Sequence, residues 1–172
     1  MSKLLNFTLS VFCFISVLKG QNIQSPSSFL GYDLGTQFSR HHQVVDYYKH
    51  LSKNLPSQIK LEKYGETNEH RPLYLSYISS QENINNLENI RKTNLSQTGI
   101  INGNSDNKTA IVWLSYNVHG NEASSTEASM LTIYELVTTK KSWLENTVII
   151  MDPCINPDGR DRYVNWFNQV KS

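Results

Sequence analysis

Ala110-Ile111-Val112-Trp113-Leu114-Ser115-Tyr116 is followed by Asn117-Val118-His119-Gly120-Asn121-Glu122, and later by Thr147-Val148-Ile149-Ile150-Met151. The first run is mostly apolar, as expected of a strand buried on both faces. Between the two runs, Ala123, Met130, Ile133, Tyr134 and Val137 recur at helix spacing. The last run is β-branched and apolar, a second strand. Strand, helix, strand predicts a parallel βαβ unit with a right-handed crossover. The fold class is therefore α/β: a mixed, largely parallel sheet with helices on both faces. In open sheets of this class ligands bind beyond the carboxyl ends of strands, which is where residues 117–122 fall.

Working outward, a helix is expected from Ser39, with Val44, Val45, Tyr48, Leu51 and Leu55 on one stripe and Pro56 as its stop. His41, His42 and His50 on this helix are expected at its surface or boundary. Residues 59–64 and 72–79 read as strands joined by the polar stretch 65–71, where His70 is expected in solvent. Leu73, Leu75 and Tyr77 share one face by alternation. Ile84, Leu87, Ile90 and Leu95 predict a further helix. Residues 97–108 are rich in Gly, Asn, Ser and Thr and read as a loop.

Lys plus Arg is 16 and Asp plus Glu 15, a net charge of +1 that gives no basic surface for nucleic acid. A mean hydropathy of −0.44 excludes a polytopic membrane protein. Residues 1–20 stand apart: Lys3 precedes the uncharged, largely apolar stretch 4–18, which is short for a membrane span. They are expected to be a secretory signal peptide, cleaved after Gly20 and leaving no stable membrane anchor. A secreted or periplasmic location follows. Residues 21–38 form a lead-in, and 39–172 the remaining domain. Cleavage removes Cys13 and leaves Cys154 without an intrachain partner. Lying in an apolar run, Cys154 is expected to be a buried small hydrophobe and not a nucleophile.

The chemistry is expected at His119 and Glu122. An imidazole and a carboxylate three residues apart, across a strand-to-helix turn, can face one ion. Zinc accepts both donor types, and its catalytic sites combine three protein ligands with water. Gly120 is expected to permit the sharp turn with no side-chain clash. Glu122 is expected in the first helical turn, where the macrodipole favours a carboxylate. The spacing alone carries little weight, since five His and nine Glu give about a quarter of one such pair by chance. A lone pair of this kind is more often a cap and a surface residue. The position of this one, in the loop an α/β enzyme would use, strengthens it.

Residues 116–122 resemble the first zinc motif of the carboxypeptidase A/B-like metallocarboxypeptidases. Asn156-Pro157-Asp158-Gly159 resembles that family's turn after the next strand. The helix from Ser39, the strand around residues 60–64, Gly65 and the Arg71-Pro72 strand start are similar to the family's opening. The resemblance implies the N-terminal part of a secreted zinc exopeptidase that removes C-terminal residues from peptides and proteins. His119 and Glu122 would be two of three ligands to one zinc ion. Zinc would polarise the scissile carbonyl and lower the pKa of bound water, while a Glu takes its proton. The family's third ligand is a His well beyond the Asn-Pro-Asp-Gly turn, and its substrate carboxylate and oxyanion are held by downstream Arg and Asn-Arg residues. Residues 156–159 read as turn-forming. Arg160 and Arg162 come too early to match the substrate-binding arginines and read as surface or branch-specific residues. Asn121 stands where some branches carry Arg, so no substrate contact is implied there.

No His follows His119, and Glu127, Glu135 and Glu145 lie on or just after the next helix. The chain is therefore expected to be a fragment, with its catalytic residues beyond Ser172, weak zinc binding, an open sheet edge and no activity of its own. Two other functions remain open: a zinc amidohydrolase or deacylase of the same fold, and a non-catalytic secreted binding protein. The Asn-Pro-Asp-Gly turn favours the peptidase, and a protein that zinc neither binds nor stabilises would favour the last. No Gly-rich loop with a following Lys supports a phosphate site.

Overall fold

The computed structural model describes residues 23–104, 106 and 108–170. The segment read as a signal peptide lies outside them. The helices are α1 (Pro26–Leu30), α2 (His41–Asn54), α3 (Gln81–Asn85), α4 (Leu87–Gln97), α5 (Ser124–Thr138) and α6 (Pro157–Val170). The strands are β1 (Ile59–Glu66), β2 (Pro72–Ile78), β3 (Ala110–Ser115) and β4 (Thr147–Asp152). They form one mixed sheet in the order β1-β2-β4-β3. The β3–β4 pair is parallel, in register from Ala110 opposite Thr147 to Ser115 opposite Asp152, and α5 makes the crossover. The two other pairings are antiparallel, because β1 and β2 form a hairpin and β4 runs against β2. Among the described strands the parallel component is thus the single βαβ unit.

One face of the sheet carries the core. Val44, Tyr48 and Leu51 along one stripe of α2 and Leu55 at its C-cap are fully buried, as are Met130, Ile133 and Val137 along one stripe of α5. They close over Ile59, Ile78, Ile149 and Met151. Each such aliphatic side chain removed from water contributes roughly 1.5–3 kcal/mol before ordering entropy is charged against it. Arg40 N–H donates to the Gln43 side chain at 2.8 Å and starts α2, and Pro56 follows its end. Leu73, Leu75 and Tyr77 do share a face, the one turned away from this core, since Ser76 and Ile78 are the buried pair. On that far face α4 leaves a groove lined by Ile90, Tyr77, Ile111 and Ile150.

Several expectations are corrected. The helix read from Ile84 to Leu95 is two helices that meet at Asn86. Within the lead-in, Ser25 caps α1, Pro26 opens it and Gly31 ends it at φ 77°. Phe29, Leu30 and Leu34 then pack against the core. His41 is 4% exposed, not a surface residue: its Nε2 lies 2.8 Å from the Pro72 carbonyl, and its buried Nδ1 has no partner. Strand β3 is outermost in the described sheet, so it is not buried on both faces, and Trp113 is 62% exposed. His70 is exposed, as expected. No described helix is long and apolar enough to cross a membrane.

Candidate metal centre

Two parallel strands end side by side, and their continuations stay paired. Tyr116 N–H donates to Asp152 O at 3.0 Å, Ile155 N–H to Tyr116 O at 3.0 Å, and Asn156 N–H to Asn117 O at 3.2 Å. The loop after β3 therefore lies directly against the turn that opens α6. Asn117 takes the left-handed conformation at φ 55°, which turns the chain away from the strand. Its side-chain amide donates to the carbonyls of His119 at 2.7 Å and Glu122 at 3.4 Å, spanning the loop from inside.

His119 Nδ1 and Glu122 Oε1 are 3.4 Å apart, with side chains 70% and 64% exposed. Two zinc bonds of about 2.0–2.1 Å at a tetrahedral angle place their donors about 3.3 Å apart. The pair has that spacing and points to open water, and its donor types suit zinc. As a bare surface ion pair it would contribute little. Among the described residues no third His, Cys, Asp or Glu joins them.

One detail refines the sequence expectation and one differs from it. Gly120 does not adopt a positive φ; Asn117 supplies the left-handed residue. Gly120 is needed because its α-carbon rests on the backbone of Gly159, and a β-carbon there would lie 2.6 Å from Gly159 Cα. Glu122 precedes α5, whose first-turn carboxylate is Glu127.

Residues 156–159, expected to form a turn, are instead the start of a helix, since Pro157 to Gly159 already belong to α6. Asn156 caps α6, its Oδ1 accepting from Gly159 N–H at 3.0 Å, with Pro157 next. Asp158 in the first turn accepts from Thr67 Oγ1 at 2.7 Å and from Arg71 at 2.6 Å, tying the β1–β2 connector to α6. Arg162 is exposed as expected. Arg160 is not at the surface: it is fully buried. Its guanidinium donates to Ser39 O, to Ala123 O and, at 2.7 Å, to Glu127 Oε1. Glu127 in turn accepts from Ser39 N–H. A signal for this pair exists, since Glu127 falls inside the apolar stripe of Ala123, Met130 and Ile133. A carboxylate in such a stripe requires a buried cation. Cys154 is buried as expected, its Sγ 3.4 Å from Asn117 Oδ1.

The structure is a mixed α/β sheet with a His-x-x-Glu loop beyond the carboxyl ends of its parallel strand pair, a candidate metal site. The family model described as zinc carboxypeptidase matches residues 44–169, and the chain belongs to that family. Carboxypeptidase A from Helicoverpa armigera is similar in structure, with a TM-score of 0.55 and 23% identity over 74% of this chain and 28% of that one. Bovine thrombin-activatable fibrinolysis inhibitor, solved with a tick carboxypeptidase inhibitor, gives 0.53 and 15% over 78% and 35%. A putative carboxypeptidase A from Shewanella denitrificans gives 0.52 and 16% over 74% and 28%. At these identities the likeness is one of fold. The chain spans about a third of the length of these structures or less. No curated protein matches the sequence.

Proposed function

We propose that this chain is part of a zinc-dependent metallocarboxypeptidase that removes C-terminal residues from peptides and proteins, with His119 and Glu122 as two of the ligands to one zinc ion. The observation that carries the proposal is the 3.4 Å separation of His119 Nδ1 and Glu122 Oε1 at the end of β3, within a chain of the zinc carboxypeptidase family. Zinc supplies a Lewis acid for the scissile carbonyl and for the attacking water. This chain's own part is to present one imidazole and one carboxylate at fixed spacing. Asn117 holds the loop from within, and exposure of both side chains leaves the approach open to a peptide C-terminus. A third ligand and a general base complete such a site, and among the described residues no third His, Cys, Asp or Glu groups with the pair. Export by residues 1–20 belongs to the same proposal; mature protein recovered outside the cell should begin near Gln21, and an intact Met1 would refute export.

The test uses the full-length protein. One zinc per chain, chelator-sensitive release of C-terminal residues from blocked peptides, and loss of both in His119→Ala and Glu122→Ala are expected. Unchanged zinc content in both variants would refute the ligand assignment. Zinc binding with amide hydrolysis confined to non-peptide acyl substrates would favour a deacylase.

A further inference from the structure

We propose that Asn156 and Arg160 are positioning residues that clamp the His119–Glu122 loop from behind. The inference rests on His119 and Glu122 being metal ligands. The two ligands are separated by two residues, and the carbonyls flanking them are held from one short segment. Asn156 Nδ2 donates to Val118 O at 3.1 Å, one residue before His119. Arg160 donates to Ala123 O, one residue after Glu122. Midway between them the backbone of Gly159 lies against Gly120 and leaves no room for a side chain there. Residues 156–160 thus meet the loop before, between and after its two ligands. The exposed ligand side chains have no packing of their own to fix them, so backbone position is what sets their spacing.

Both clamping groups are themselves fixed. The orientation of the Asn156 amide is imposed by its two bonds, since Oδ1 accepts from Gly159 N–H while Nδ2 donates to Val118 O. Arg160 is held by Glu127 and by the Ser39 carbonyl, so the clamp is anchored through α5 and the start of α2.

Asn156→Asp separates the clamp from helix capping. Asp caps α6 as well as Asn does but cannot donate to Val118 O. Arg160→Lys keeps a cation for Glu127 and gives up the forked donor set. Hydrogen–deuterium exchange of the metal-free full-length protein reads the loop without zinc. Amides of residues 118–123 are expected to exchange about tenfold faster in both variants, with those of β4 unchanged. In the same variants zinc affinity is expected to fall about tenfold. Loop exchange that is unchanged, or that rises only in step with β4, would overturn the clamp. A wild-type protein that binds no zinc would instead overturn the ligand assignment, and the exchange comparison would still decide the clamp.

Discussion

Gly120 rests on the backbone of Gly159, so closely that a β-carbon on Gly120 would lie 2.6 Å from Gly159 Cα. The obstacle is main chain, which cannot rotate away as a side-chain tip can. Gly120→Ala must therefore push the metal loop off the α6 turn. It is expected to destabilise the protein by about 1–3 kcal/mol and to weaken zinc binding. Urea denaturation and a chelator competition measure the two effects. A variant with wild-type stability and zinc affinity would show that the loop has slack that the packing denies.

Arg160 and Glu127 form an ion pair with side chains 0% and 7% exposed. Removing one partner leaves the other charge buried without its counterion, so Arg160→Ala or Glu127→Ala is expected to cost about 3–5 kcal/mol. Replacing both by Met and Leu should recover only part of that loss. Arg160 also serves the carbonyls of Ser39 and Ala123, and no apolar side chain replaces those bonds. Denaturant unfolding of the two single variants and the double variant gives the cycle. A single-variant loss under about 1 kcal/mol would contradict full desolvation of the pair.

The βαβ unit was legible because two short, continuous apolar runs flank a stretch whose apolar residues recur at the helical period of 3.6. The carboxyl edge of that unit is where His119 and Glu122 stand together. What stayed hidden depended on contacts distant in sequence. Arg160 lies in the first turn of α6 between Gly159 and Asp161, so nothing in its own neighbourhood marks it as buried. Its partners Ser39, Ala123 and Glu127 come from elements that meet only in the folded chain. That Gly120 must lack a side chain was legible, but the neighbour that requires it, Gly159, was not, because it comes from a distant segment. Strand β3 is as apolar as a two-sided core strand, yet the described sheet ends with it, so Val112 and Trp113 are exposed.

His41 gives the fold an acid-sensitive point. Burial holds its imidazole below the ordinary value of 6.5; the bond to Pro72 O and nearby Asp161 oppose the shift, while Arg71 and Arg160 add to it. In the unfolded chain the group takes its proton near 6.5, so just below that pH the unfolded state binds more protons than the folded one. The contribution is present above about pH 6.5 and is lost as pH falls through the lower folded value. His41→Gln does not titrate there and can still donate to Pro72 O. Urea midpoints followed from about pH 7.5 to 5 should fall more steeply for wild type than for His41→Gln. Parallel curves would assign the acid sensitivity elsewhere.

Cys154 is 2% exposed, and burial pushes its thiol from 9.0 up to about 12, with Asp152 and Asp161 adding to the rise while Arg160 and the Asn156 backbone N–H oppose it. The thiolate is the reactive form, so the folded protein should resist alkylation at about pH 8 and react readily once denatured. The same shift has a stability consequence. With a folded value above the unfolded one, the contribution is complete below about pH 9 and is lost as pH rises toward about 12. Tyr47, Tyr48 and Tyr64 are also shifted upward by burial and lose stability in the same direction, so among the described residues Cys154 shares the alkaline limb with these tyrosines. Cys154→Ala should make the limb shallower without removing it, and it should also release Asn117 Oδ1 from its contact with Sγ. Labelling with a thiol reagent, with and without guanidinium, isolates the cysteine from the tyrosines. Rapid labelling of the native protein would mean that the carboxyl edge of β4 opens to solvent, and the buried position of Cys154 would be refuted.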